Sequence, residues 1–274
     1  MKYADLHLHT IYSDGTYTPK ELVRSAKSKG FSCISICDHD CVDAIDPALE
    51  YSKKDPIEII PGVEITVMRR GQELHMLGYF ISWKEPWFAD TLKRIQGDRI
   101  TRLDKMLEKL KGFDVQLDKE RVLAIAGGKG SVGRLHLARA LYEAKAVTSV
   151  QMAFDKYIGD FKPCYVEEIG FSPREAIEII LKAKGVPILA HPGKMIDRAT
   201  IVEFVKYGLC GIETFHPDHN SATRSLHERV AKECGLLLTG GSDCHGYGSG
   251  KLLMGSVKVP YEMVERLKER ASSI

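Results

Sequence analysis

The stretch Asp5-Leu-His7-Leu-His9-Thr-Ile-Tyr-Ser-Asp14-Gly15 constrains this chain more than any other. Its start reads as a β-strand, on which residues two apart point the same way, so His7 and His9 present two imidazoles side by side. Imidazole is the commonest protein metal ligand near neutral pH, and Asp14 can add oxygen to the same site or an adjacent one. Standing alone, a His-x-His pair is more often a surface or core feature than a ligand pair. The rest of the chain decides.

Helical spacing over Pro19–Lys29, with Thr18 as N-cap and Gly30 as the stop, precedes a short β-rich run, Phe31–Cys37, that ends in Asp38-His39-Asp40. A third apolar run, Ile57–Val63, ends in Glu64, and a fourth, Glu73–Ile81, carries His75. From about residue 85 the pattern turns helical: Trp87–Lys111, Asp118–Ala126, a Gly127–Gly130 loop and Ser131–Leu141. Strands then resume, with Val186–Ala190 before His191, Cys210–Phe215 before His216, and Leu236–Thr239 before Asp243 and His245. Helical patterns at 173–184, 198–207, 222–234 and 261–271 fill the gaps. Strands alternating with helices predict an α/β fold with a mostly parallel sheet, and seven strand candidates predict barrel-like closure.

In parallel α/β folds, residues far apart in sequence converge at the carboxyl ends of the strands. His7, His9, Asp14, His39, Glu64, His75, His191, Asp243 and His245 are the groups so placed. Each one singly could be a satisfied core residue or a helix cap. Together they would bury several charges without compensation unless a cation is present. Nine groups exceed the needs of one four-coordinate ion and suit two or three ions sharing a bridging carboxylate.

Net charge is only +2 over 274 residues, so no overall polyelectrolyte partner is implied. The basic part is local: between Lys93 and Lys145 thirteen Lys and Arg face seven Asp and Glu. Seven scattered cysteines without a Cys-x-x-Cys read as reduced thiols, and no apolar run is long enough for a span. A cytoplasmic chain with no membrane contact is expected.

At these positions the chain resembles the polymerase and histidinol phosphatase (PHP) family: HLHT at His7, SDG at Asp14, DHD at Asp38, PGVE at Glu64, HMLGY at His75, AHP at His191 and SDCHG at Asp243. The resemblance covers residues 1–84 and about 165–274. It implies a distorted (β/α)7 barrel with a helical, substrate-capping insertion at 85–164, and three divalent ions of manganese, zinc or iron. By that resemblance His7, His9, Glu64 and Asp243 hold one ion, and Glu64 bridges to a second held by His75 and His191. Asp14, His39 and His245 hold the third. Gly133-Arg134-Leu-His136 is similar to the Gly-Arg-x-His segment of PHP enzymes that hydrolyse nucleoside 3′,5′-bisphosphates, whose relatives also trim RNA from its 5′ end.

The implied activity is metal-dependent hydrolysis of a nucleotide phosphomonoester, most of all the 3′-phosphate of a nucleoside 3′,5′-bisphosphate, by a metal-bridging hydroxide. Asp243 would orient the attacking water or take its proton, and Arg134 and His136 would hold substrate phosphate. His216 and His219, near the sixth strand's end, are further candidates for substrate contact, with His219 equally a candidate helix cap. The alternatives are a 5′–3′ exonuclease on short RNA, a histidinol phosphate phosphatase, and a non-catalytic phosphate or nucleic-acid binding module. Leu135, Cys37, Cys41 and Cys244 depart from residues common in the family. None is an implied ligand, so Cys244→Phe is expected to be mild.

Overall fold

The first strand, β1 (Tyr3–Leu8), is buried from its second residue onward. The structure is a computed structural model describing residues 1–128, 131–167, 169–193, 196–247 and 253–274. Lys129 and Gly130, the end of the expected glycine-rich loop, lie outside the described residues. After β1 come α1 (Pro19–Ser28), β2 (Cys33–Ile36), α2 (Ile45–Ser52), β3 (Glu58–Arg69) and β4 (Gln72–Tyr79). A helical stretch follows: α3 (Pro86–Lys111), α4 (Lys119–Ile125), α5 (Arg134–Glu143), α6 (Val150–Ala153) and one π-helical turn at Phe154–Ile158. Next are α7 (Pro173–Lys182), β5 (Val186–Leu189), α8 (Arg198–Tyr207) and β6 (Gly211–Phe215). The last elements are α9 (Ser221–Cys234), β7 (Leu237–Gly240), β8 (Val259–Pro260) and α10 (Tyr261–Ala271).

Local chemistry accounts for most of these boundaries. Capping boxes start α1 (Thr18 with Glu21) and α7 (Ser172 with Glu175), each with proline in its first turn. Helix α2 was not expected: it is short, has no side-chain cap, and buries only Ile45 and Ala48.

The strands form one sheet in the order β7-β6-β5-β4-β3-β2-β1-β8. Parallel pairing holds from β1 to β3 and from β5 to β7. The expectation of carboxyl-end convergence needs one correction, because β4 runs antiparallel to both β3 and β5. Arg70 and Gly71 have φ of 52° and 78°, so two residues reverse the chain and pair Arg69 with Gln72. Positive φ at both central positions is the turn that matches strand twist. Consequently β3 continues to Arg69, and Glu64 sits inside the strand instead of at its end.

Strand period two then sorts the hairpin's side chains. Val63, Ile65, Val67, Leu74 and Met76 join an apolar cluster with Phe88 and Leu92 of α3 and Ile177 and Ile180 of α7. Alternating with them are Glu64, Thr66, Glu73 and His75. Farther along α3, Leu103, Met106 and Leu110 turn into a separate cluster with Leu137, Leu141 and Ile158. One helix therefore belongs to two cores. Burying Phe88 alone contributes about 1.5–3 kcal/mol to holding it on the sheet.

Closure falls between β7 and β1. Leu8 is bridged to Cys244, whose carbonyl accepts the His9 N–H at 3.1 Å, and Ser242 N–H donates to Asp5 Oδ1 at 2.8 Å. A Cβ on Gly241 would lie 2.4 Å from the His7 nitrogen, so only glycine lets the two segments meet. The result is a mixed α/β, nearly closed barrel of the expected kind, with β8 added to the seven expected strands. Among the described residues no helix is long and apolar enough to cross a membrane.

Candidate metal centre

The structure brings all nine expected metal-binding side chains together, and Glu64 is their hub. Its Oε2 lies 3.2 Å from His7 Nε2, 3.3 Å from His9 Nε2 and 3.1 Å from His39 Nδ1. Its Oε1 lies 3.0 Å from His75 Nδ1 and 2.9 Å from His191 Nε2. Asp243 Oδ1 is 3.0 Å from His9 Nε2, and Asp14 Oδ1 is 3.0 Å from His245 Nε2.

Support comes from acids flanking the ligands. Asp38 accepts the Thr10 N–H at 2.7 Å, the Thr10 hydroxyl at 2.6 Å and the Ser13 hydroxyl, which pins the turn from His9 to Asp14. Asp40, at φ 48°, accepts from Thr66 N and Oγ1 and from Arg99 Nε. His39 is held between them, facing Glu64. Glu213 was not singled out from the sequence, yet its Oε1 lies 3.0 Å from His7 Nδ1 and its Oε2 accepts the His191 N–H at 2.9 Å. Occupying Nδ1 turns the Nε2 of His7 toward the centre.

Charge and burial are at odds here. Burial pushes the Glu64 carboxyl up, but His39, His7 and His75 hold it well below the carboxylate range. Asp14 and Asp243 are likewise buried and held low by neighbouring histidines. Burial pushes His75 and His245 down, and their carboxylate neighbours carry both up to about 10. His39 goes the other way, to about 3, because burial dominates.

Among the described residues, His7 Nε2, His9 Nε2, Asp14 Oδ1, His39 Nδ1, Glu64 Oε2 and Asp243 Oδ1 are buried without a hydrogen-bond partner. Such atoms cost free energy unless something satisfies them, and mixed imidazole and carboxylate donors suit a divalent cation. Donor atoms lie within 4.8 Å of one another in the sets His9, Asp14, His39, His245; His7, His9, Asp243; His39, Glu64, His75; and His7, His191, Glu213. These residues fit divalent metal.

Beside the cluster lies a cavity of about 240 Å³. Asp14, His39, His75 and His245 line it on the barrel side, and Arg99, Arg102, Arg134, Leu135 and Phe154 on the helical side, with Glu73 between. Arg134 donates to Glu73 Oε2 at 3.1 Å and to Asp160 Oδ1 at 2.6 Å. Glu73 Oε1 is 3.3 Å from His75 Nε2.

A family model, the PHP domain, matches residues 5–167. The chain belongs to the PHP family. A 5′-3′ exoribonuclease of Haemophilus influenzae is 34% identical over 89% of this chain and 90% of its own length. At 30% identity stand a 3′,5′-nucleoside bisphosphate phosphatase of Chromobacterium violaceum (91% and 90% covered) and a phosphoribosyl 1,2-cyclic phosphate 1,2-diphosphodiesterase of Eggerthella lenta (88% and 94%). A solved structure of a metal-dependent phosphoesterase from Bifidobacterium adolescentis superposes with a TM-score of 0.92 at 28% identity, covering 97% of this chain and 96% of the other. With the PHP fold and its His/Asp/Glu clusters goes the class of chemistry: the chain is a metal-dependent phosphoesterase.

The remaining expected site residues of this PHP chain are placed unequally. Arg134 lines the cavity. His136 does not: it is 1% exposed, its Nδ1 accepts the Gly133 N–H at 3.0 Å, and burial pushes it down to about 4. Its ring caps the start of α5 instead. His216 is buried with Nε2 3.5 Å from Asp243 Oδ2, on the cluster's edge. His219 spends both ring nitrogens on backbone, Nε2 accepting from Gly193 and Nδ1 donating to Thr214 O, and the cap of α9 is Asn220. It braces the turn after His191. Glu73, Arg99 and Arg102 were missed, although Glu73 lies two residues before His75 on a strand and therefore shares its face.

Proposed function

We propose that this PHP phosphoesterase removes the 3′-phosphate of nucleoside 3′,5′-bisphosphates. The observation that carries the reading is the shared cavity, with the candidate metal ligands on one side and three guanidiniums on the other. A ligand with two phosphates can meet both walls. The relative named as a bisphosphate phosphatase supports the same substrate class.

In this reading three divalent ions of manganese, zinc or iron are held by His7, His9, Glu64 and Asp243, by Glu64, His75 and His191, and by Asp14, His39 and His245. Bound there, they supply a water deprotonated near neutral pH and offset phosphate charge. Asp243, a carboxylate held in its ionised form, would orient the attacking water or take its proton. Arg134 offers the planar fork that pairs with phosphate oxygens, with Arg99 and Arg102 beside it on the same wall. His136 acts from behind, by setting where Arg134 begins its helix. The helical segment 85–164 caps the substrate, and no covalent nucleophile is required.

A second reading, trimming of short RNA from the 5′ end, is favoured by the exoribonuclease relative. One assay separates the two. With manganese present, phosphate release is compared for adenosine 3′,5′-bisphosphate, adenosine 3′-monophosphate, histidinol phosphate and phosphoribosyl 1,2-cyclic phosphate, while mononucleotide release is followed from a 5′-phosphorylated oligoribonucleotide. Preference for the bisphosphate over the monophosphate is expected. Preference for histidinol phosphate or the cyclic phosphate rejects the substrate, mononucleotide release makes RNA the substrate, and binding without turnover under any metal rejects catalysis.

A further inference from the structure

Arg134 is held by two carboxylates of different standing. Glu73 is buried, its side chain 12% exposed, and it also binds His75, whereas the Asp160 side chain is 59% exposed and pairs with Arg134 from the solvent side. Glu73 is thus a fixed partner and Asp160 a replaceable one. Arg102 also lies 3.5 Å from Glu73, so Glu73 is shared between guanidiniums while Asp160 neutralises Arg134 from the solvent side. An arriving phosphate gains more from Arg134 once that carboxylate has left.

The chain around Asp160 permits that exchange. Asp160 follows the π-helical turn Phe154–Ile158, whose first residue lines the cavity, and single π turns recur at functional sites. Phe161, the next residue, is 98% exposed, so apolar packing does not pin the chain there. Water reaches the Asp160 end of this pair and weakens it, and a phosphate accepting two charge-assisted bonds from the same guanidinium exceeds it.

We propose that Asp160 is a specificity-determining residue: its carboxylate occupies Arg134 in the free protein and is displaced by the second phosphate of the substrate. A substrate with one phosphate, bound at the metal side, leaves the pair intact and gains nothing from Arg134. This inference rests on the bisphosphate reading above, so the test includes a control for that reading.

The test is steady-state kinetics of the metal-loaded enzyme on a nucleoside 3′,5′-bisphosphate and the matching 3′-monophosphate, for the native chain, Asp160→Asn, Asp160→Glu and Arg134→Ala. Asp160→Asn is expected to lower the ratio of the bisphosphate KM to the monophosphate KM by about two- to fivefold, and Asp160→Glu to return it toward the native value. A ratio that rises in Asp160→Asn makes Asp160 a brace for Arg134 and overturns the proposal, as does an unmoved ratio. If Arg134→Ala also leaves the ratio unmoved, Arg134 takes no phosphate and the displacement idea falls with it, and if the native chain shows no preference for the bisphosphate, the bisphosphate reading itself falls. If Arg134→Ala raises the ratio while Asp160→Asn does nothing, only the displacement idea is lost.

Discussion

The two walls of the cavity are built on opposite principles. On the barrel side, buried nitrogens and oxygens of His7, His9, Asp14, His39, Glu64 and Asp243 face one another without hydrogen-bond partners among the described residues. On the helical side the guanidiniums are paired: Arg99 with Asp40, Arg102 with Glu73, and Arg134 with Glu73 and Asp160. One wall gathers donors suited to cations, and the other is held largely by carboxylates of the barrel, Asp40 and Glu73, with Asp160 from its own side. The first is built to take up positive charge, and the second has its positive charge already engaged.

Breaking the first wall is expected to have the largest effect. Glu64→Gln removes the charge that five histidines share, and activity should fall by roughly 10³-fold or more at any metal concentration. A variant with near-native turnover would remove Glu64 from the centre. Next in size is Arg99→Ala, which leaves the buried Asp40 without its guanidinium and should cost about 3 kcal/mol or more of stability in denaturant unfolding. An unchanged midpoint would mean that Arg99 does not tie the two regions together.

Acidity sharpens the comparison. His75 and His245 are carried up to about 10 by their carboxylates, so near neutral pH both hold a proton in the metal-free protein. Metal binds the neutral imidazole, so loading releases these protons and affinity tightens as pH rises from about 6 to about 9. Calorimetric titration with manganese in buffers of different ionisation enthalpy measures the protons released, and a count of zero contradicts this account. The smallest effect belongs to the seam. Cys244 is fully buried beside Leu8, so Cys244→Phe overpacks it and should cost about 1–3 kcal/mol of stability, while its effect on turnover stays mild. A melting temperature equal to the native one would show that the seam takes up the ring without strain.

Spacing and residue type made the metal centre legible. His7, His9, Asp14, His39, Asp243 and His245 stand at strand ends, where a polar group has no apolar reason to be. Glu213 was not singled out because it lies inside a strand run with no candidate ligand two residues away to fix its face, whereas Glu73 shares the face of His75 and its spacing could have found it. The Arg70-Gly71 reversal was missed for a related reason: two apolar runs in succession look alike whether the chain turns back or crosses over. His136 and His219 show the limit from the other side, since a histidine that satisfies backbone groups has the same letter as one that meets a ligand. Arg99 and Arg102 were hidden within a charged amphipathic helix, where most such residues face water.

The β3–β4 hairpin places Glu64, Glu73 and His75 on one short ribbon of chain, and Glu73 touches both His75 and Arg134. A change at Glu73 is therefore felt by the cation ligands and by the phosphate grip at once, so the hairpin is poorly suited to carry a gradual shift of diet. Phe154 lines the cavity and Asp160 reaches it through Arg134, both from a turn that holds none of the metal-facing atoms. Over generations, a lineage built on this plan can try new substrates by rewriting that turn while inheriting its chemistry intact.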